Sequence, residues 1–127
     1  MIPATPALVS LDHVQIAIPQ GGEDRGRAFY CLILGMREIE KPAVLAARGG
    51  CWFTNGVVHV HLGVDPDFVP ARKAHAAFRA TGIERFATML AAAGHQVQWD
   101  GAVSGVRRLF TADPFGNRIE LISEESA

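Results

Sequence analysis

Leu11-Asp12-His13-Val14-Gln15-Ile16-Ala17-Ile18 opens the first patterned segment of the chain. A related stretch, Lys73-Ala74-His75-Ala76-Ala77-Phe78-Arg79, opens another 62 residues later. Val14, Ile16 and Ile18 alternate with His13, Gln15 and Ala17, the period of a strand with one apolar and one mixed face. Ala74, Ala76 and Phe78 alternate with Lys73, His75, Ala77 and Arg79 in the same way. Behind the first stretch, Pro19 and Gly21-Gly22 end the strand, and Ala28, Phe29, Leu32 and Ile33 recur at helical spacing up to Gly35. Three strand-like runs follow, near Met36–Glu40, Gly50–Phe53 and Val57–Leu62, with Asn55-Gly56 as a tight hairpin signal. Behind the second stretch, Thr81 and Glu84 are spaced as a capping box. Phe86, Met89, Leu90 and Ala93 then recur at helical spacing until Gly94. Strand-like runs return near Gln96–Trp99, Arg107–Thr111 and Arg118–Ile122, and Asp113-Pro114-Phe115-Gly116 has the residue order of a type I turn.

The order strand, helix, three strands therefore occurs twice, and such an internal repeat sets the fold class. It predicts an α+β fold of two βαβββ modules. Together they form a cup-shaped, mostly antiparallel half-barrel with one helix behind each sheet. A single domain over 1–127 is expected, with module one at about 8–63, a linker at 64–72 and module two at about 73–123. Gly35 falls on Gly94, Gly56 on Gly116 and His59 on Glu120 at offsets near 61.

Composition narrows the function classes. Twelve basic and 13 acidic residues leave a charge of −1, which argues against a general nucleic-acid binder. No apolar run reaches the length that spans a bilayer, so no membrane partner is expected. Met1 to Ala7 has two prolines and no basic start before an apolar run, and reads as a short flexible lead rather than a secretory signal. Cys31 and Cys51 form neither a CxxC pair nor a spaced set, and read as small buried hydrophobes. The expected location is the cytoplasm.

The histidines carry the chemistry. His13 and His75 open the matched strands, and His59 stands on the last strand of the first module where the second has Glu120. All four lie on the alternation opposite the apolar face. Imidazole and carboxylate together suit a divalent ion such as Fe, Mn, Ni, Zn or Co, and the absence of thiolates disfavours structural zinc. His61 shares the face of His59 and is a candidate supporting residue, general base or cleft lining. His95, beside Gly94, reads as solvated. Arg107 and Arg108 fall on opposite faces of the penultimate strand, so one of them could reach the cleft and hold an anionic group, and Lys73 is a similar candidate. Trp52, Phe53 and Trp99 read as core or dimer contacts.

These residues resemble the vicinal oxygen chelate superfamily, which includes glyoxalase I, bleomycin-resistance proteins, extradiol dioxygenases and fosfomycin-resistance thiol transferases. The carriers are Leu11-Asp12-His13-Val14, Ala28-Phe29-Tyr30, Leu34-Gly35-Met36, Ala74-His75-Ala76-Ala77-Phe78 and Asp113-Pro114-Phe115-Gly116-Asn117-Arg118-Ile119-Glu120-Leu121. The resemblance runs from about Leu11 to Ser123. It implies metal-ligand roles for His13, His75 and Glu120, with His59 at the fourth position, where glyoxalase I has a glutamate that also acts as base. It further implies a glyoxalase-like, divalent-metal-dependent enzyme acting on a small oxygen-chelating substrate. Its chemistry would be that of a lyase or isomerase, a dioxygenase or a thiol transferase, with His59 or His61 moving the proton. The alternative is a bleomycin-resistance-type binding protein without catalysis. A homodimer is expected, because chains of this length in the family build their cups at a two-fold interface.

Overall fold

The computed structural model describes Ile2 and residues 4–125; Met1 and Pro3 of the lead segment, with Ser126 and Ala127, lie outside that range. The first alternating run forms β1 (Val14–Ile18), with Ile16 and Ile18 buried. The strand is shorter than the alternation, for Leu8 to His13 has no ladder partner and Leu8, Val9 and Leu11 stand exposed. The chain then turns into α1 (Glu23–Arg27), whose first turn carries Glu23 and Asp24 at the positive end of the helix. The helix widens into a π-helical segment, Ala28–Ile33. The wider turn changes which residues face inward. Phe29 and Tyr30, neighbours in sequence, are both buried, whereas Leu32 is 78% exposed and Ala28 faces outward, which corrects the face expected from helical spacing.

Strands β2 (Arg37–Ile39), β3 (Cys51–Thr54) and β4 (His59–Val64) complete the first sheet, in the order β1-β4-β3-β2. β1 and β4 are parallel and the other pairs antiparallel. The β3–β4 hairpin is wider than Asn55-Gly56 alone would make it. Asn55 donates its backbone N–H to Val58 O, and its side-chain oxygen accepts from the N–H groups of Val57 and Val58. The second module repeats the scheme with β5 (Ala76–Ala80), α2 (Ile83–Ala92), β6 (Gln98–Asp100), β7 (Arg108–Ala112) and β8 (Arg118–Ser123), in the order β5-β8-β7-β6. Two mixed four-stranded sheets that do not close into a barrel agree with the cup-shaped α+β, two-module fold. The expected capping box does not form. Gly82 takes the helix start at φ +65° with no side-chain cap, and Glu84 is drawn to Arg107 at 2.7 Å instead.

The apolar faces of both sheets feed one core. Ile16, Ile18, Phe53, Val60 and Leu62 from the first meet Leu109, Ile119 and Leu121 from the second, with Phe29, Tyr30, Ile83 and Leu90 of the helices among them. The modules are also joined by polar bonds centred on Asp113, which is 4% exposed. Its Oδ1 accepts from the N–H groups of Phe115 and Asn117, which holds its own turn closed. Its Oδ2 accepts from Tyr30 Oη of the first module at 2.7 Å and from Asn117 Nδ2 at 3.0 Å. Asn117 then donates to Ala17 O of β1 and accepts from Ala71 N–H. Burial holds the Tyr30 phenol protonated, with the Asp113 carboxylate adding to the effect.

Gly50 leaves no room for a side chain. Its φ is +79°, and a Cβ there would lie 2.0 Å from Leu62 O. Its N–H donates to Glu23 Oε2 at 3.0 Å.

Tyr30→Phe keeps the ring in place but deprives a buried carboxylate of one donor. A loss of about 2 kcal/mol is expected, since hydrogen bonds to charged groups carry 1.5–3 kcal/mol. Urea unfolding with an unchanged m-value checks it.

Candidate metal centre

Register decides which residues are equivalent between the modules. In the first sheet Val14 lies opposite Val60; in the second, Ala76 lies opposite Ile119. With His13 and His75 as the matched residues before each strand, Val60 corresponds to Ile119 and His61 to Glu120. His59 corresponds to Arg118. The antiparallel partners agree, for Trp52 stands opposite His61 and Phe110 opposite Glu120. The single offset near 61 that paired His59 with Glu120 is thus wrong by one same-face step. Insertions within the modules make the offset 59 here.

His13 and His75 sit immediately before β1 and β5, at the strand entrances rather than within the ladders. Each ring is anchored at Nδ1. His13 Nδ1 donates to Asp12 Oδ2 at 2.8 Å, and His75 Nδ1 donates to Lys73 O at 2.8 Å. A carbonyl oxygen only accepts, so in the neutral His75 ring the Nε2 lone pair points elsewhere. It points at Glu120 Oε1, 2.7 Å away. At that distance a shared proton joins the two as a hydrogen bond, which keeps the imidazole nitrogen and the carboxylate together as a pair of metal-ligand types. Orientation of a ligating imidazole through its other nitrogen, by a carboxylate or carbonyl, is the usual arrangement around a bound metal.

Glu120 is 5% exposed and held from its other side. Arg108 Nη1 lies 3.4 Å from Glu120 Oε2, and Arg108 Nη2 lies 3.1 Å from Asp100 Oδ2. Arg108 is therefore the arginine of the pair that reaches this face. Arg107 lies on the other side, against Glu84 and 4.1 Å above the Trp99 ring. The Lys73 backbone, through its carbonyl, touches His75.

On the first sheet, Trp52, His61 and His13 form a continuous stack. The Trp52–His61 and His61–His13 ring centroids are each 3.9 Å apart, at interplanar angles of 6° and 16°. The stack borders a cleft of about 530 Å³ that Asp12, Gln15 and His59 also line. His61 is 8% exposed, and burial together with the neighbouring His13 holds its pKa below the ordinary value, so the ring is neutral at pH 7. His59 is exposed. The sequence missed Trp52 as a site residue; the sign was its place in β3, facing the polar side of β4. His95 is not solvated as expected, for its Nδ1 lies 3.0 Å from Ala112 O and its ring packs on Phe29.

The structure thus brings His75 to Glu120 and His13 to His61, but on different sheets. Among the described residues, no group of three or more His, Cys, Asp or Glu side chains is spaced to hold a metal within one chain. No helix among them is long and apolar enough to cross a membrane.

No family model matches the chain, and no curated protein does. Solved structures do. FosX, a genomically encoded fosfomycin resistance protein from Listeria monocytogenes, is 15% identical over 94% of this chain and 96% of that one, with a TM-score of 0.75. A variant of that protein was solved with Mn(II) and 1S,2S-dihydroxypropylphosphonic acid. A glyoxalase/dioxygenase from Nostoc punctiforme is 23% identical over 98% of this chain and 99% of that one, with a TM-score of 0.71. Both show the same fold. A glyoxalase family protein from Bacillus anthracis is 43% identical, covering 96% of this chain and all of that one at a TM-score of 0.89. With that identity over nearly its whole length, the chain belongs to the glyoxalase family of the vicinal oxygen chelate superfamily.

Proposed function

We propose that this protein is a divalent-metal-dependent enzyme acting on a small oxygen-chelating substrate, and that its centre is assembled between two copies of the chain. The observation that carries the proposal is the anchoring of His13 and His75 at Nδ1, with Nε2 of each left for a cation and Glu120 already beside one of them. His13 of one copy and His75 and Glu120 of the other would hold the ion. Two imidazoles and a carboxylate fit Fe, Mn, Ni, Zn or Co. FosX, which shares the fold, is known with Mn(II). The second copy is invoked because the two half-sites lie on different sheets, and no group of three such ligands occurs among the described residues of one chain. The exposed Leu8, Val9 and Leu11 beside His13 supply apolar surface for such a contact. Two free cysteines agree with a reducing, cytoplasmic location.

When bound, the ion supplies positive charge against two adjacent substrate oxygens and the negative charge that develops on them. The chain's own residues do the rest. Asp12 and Lys73 O fix the ring directions of His13 and His75. Arg108 keeps the Glu120 carboxylate turned toward His75. His61, neutral and buried, is the proton acceptor, and the Trp52 ring behind it holds its plane. His59, exposed at the position equivalent to Arg118, is the outer candidate for the same role and for a fourth ligand. Lys73, exposed two residues before His75, remains a candidate for an anionic group of the substrate.

Light scattering on the purified chain is expected to give twice the 13.7 kDa chain mass. After dialysis against Mn(II), one ion per chain is expected, and His75→Ala or Glu120→Gln should remove it. His13→Ala and His75→Ala chains unfolded and refolded together should regain about a quarter of the wild-type sites, because half the pairs are mixed and each mixed pair has one intact centre. Recovery of none would place all ligands in one chain. A panel of methylglyoxal–glutathione, fosfomycin and catechols, run with each metal, identifies the reaction. On the active substrate, His61→Ala should lower kcat by about 10²–10⁴, the usual share of a general base, and His59→Ala by far less. Tight ligand binding unchanged in His75→Ala, with no metal taken up, would instead mark a binding protein.

A further inference from the structure

The polar face of the second sheet carries one feature that the metal centre does not use. Beyond Phe110, on the side away from Arg108, lies a separate pocket of about 190 Å³. Arg72, Arg118, Gln96 and Gln98 line it. Its two guanidinium groups are not incidental neighbours. Arg118 N–H donates to Ala71 O at 2.8 Å, and Ala71 N–H donates to Asn117 Oδ1 at 2.9 Å, so one backbone and one side-chain bond hold the residue before Arg72 against the start of β8. The Arg118 guanidinium carbon lies over the Phe110 ring, 4.0 Å from its centroid.

Like several other cations of the chain, Arg37 among them, these two stand outside the ion pairs. Arg27, Arg79, Arg107 and Arg108 each meet a carboxylate, whereas neither Arg72 nor Arg118 has one within ion-pair distance among the described residues. The remaining polar side chains of the pocket, Gln96, Gln98 and Thr111, can donate without bringing charge. Two cations lining one pocket repel each other, and an anion held between them relieves that repulsion. In a chain with a net charge of −1, general attraction for anions does not account for it.

We propose that Arg72 and Arg118, with Gln96 and Gln98, form a seat for an oxyanion, the charged end of a substrate whose chelating oxygens reach the Glu120 half-site. Arg118 is one same-face step from Glu120, about 7 Å along the strand. The substrate is then a small anionic compound, and Phe110, which touches both the Arg118 and His75 side chains, lies beneath the part that joins its two ends. Only the assignment to substrate rests on the metal-centre reading; binding of the anion requires no metal.

The test is isothermal titration of the full chain, treated with chelator and desalted, with inorganic phosphate and separately with acetate, at an ionic strength fixed with potassium chloride. Saturable binding of at least one of the two is expected. Arg118→Gln and Arg72→Gln should each weaken it at least tenfold. Gln98→Glu, which adds a carboxylate and removes no cation, should abolish it. Arg37→Gln, which removes an exposed cation from the other sheet, should leave it unchanged. Arg72 and Gln98 are exposed, so their variants decide the matter even if Arg118→Gln folds poorly. Absence of saturable binding overturns the proposal, as does an equal loss in Arg37→Gln or no loss in Arg72→Gln and Gln98→Glu. Metal uptake without anion binding removes the seat and leaves the metal centre standing; anion binding without metal uptake does the reverse.

Discussion

The carboxylate of Asp113 is the joint on which the two modules are set. It is buried, and a buried carboxylate is stable only when its oxygens find donors. Here it finds four: two backbone N–H groups of its own turn, the Asn117 amide and the Tyr30 phenol of the other module. Asn117 extends the joint to β1 and to the segment that carries Arg72. Hydrophobic burial makes the shared core favourable but is indifferent to sliding. The directional bonds at Asp113 fix where one sheet stands relative to the other. They also set the start of β8, and two residues on, the position of Glu120.

That joint was only half visible in the sequence. Asp113-Pro114-Phe115-Gly116 declares a turn through local chemistry, and the turn is there, with Gly116 N–H donating to Asp113 O. Nothing local in the sequence says that the same aspartate reaches Tyr30, 83 residues earlier. The strands were legible because alternation is a local property, and so was the repeat, because it compares one local pattern with another. The burial of Tyr30 in place of Leu32 was not legible, since it follows from a π-helical turn that spacing rules built on 3.6 residues do not contain.

The site divides in the same way. His13, His75 and Glu120 could be picked out because the repeat repeats them. His61 was harder to rank above His59, since both share a face and only the ladder register separates them. Trp52 and Arg118 act through neighbours brought by strand pairing. Sequence could place them on strands but not beside a given histidine or a given pocket. The separation of the half-sites was beyond the sequence altogether. Whether residues of two sheets meet depends on how the modules dock, to which the joint at Asp113 and the common core contribute.

Gly50 shows how far such dependence extends. It bears no side chain and touches no histidine, yet a methyl group there would collide with Leu62 O and force β3 away from β4. β3 carries Trp52 and β4 carries His61, so the stack would lose its alignment from a position that takes no part in any chemistry. In a saturation survey scored by function, Gly50 would stand with the histidines as an intolerant position. A map of such positions would then trace the scaffold of the site as well as its reacting groups, and only separate measurements of folding and metal uptake would tell the two apart.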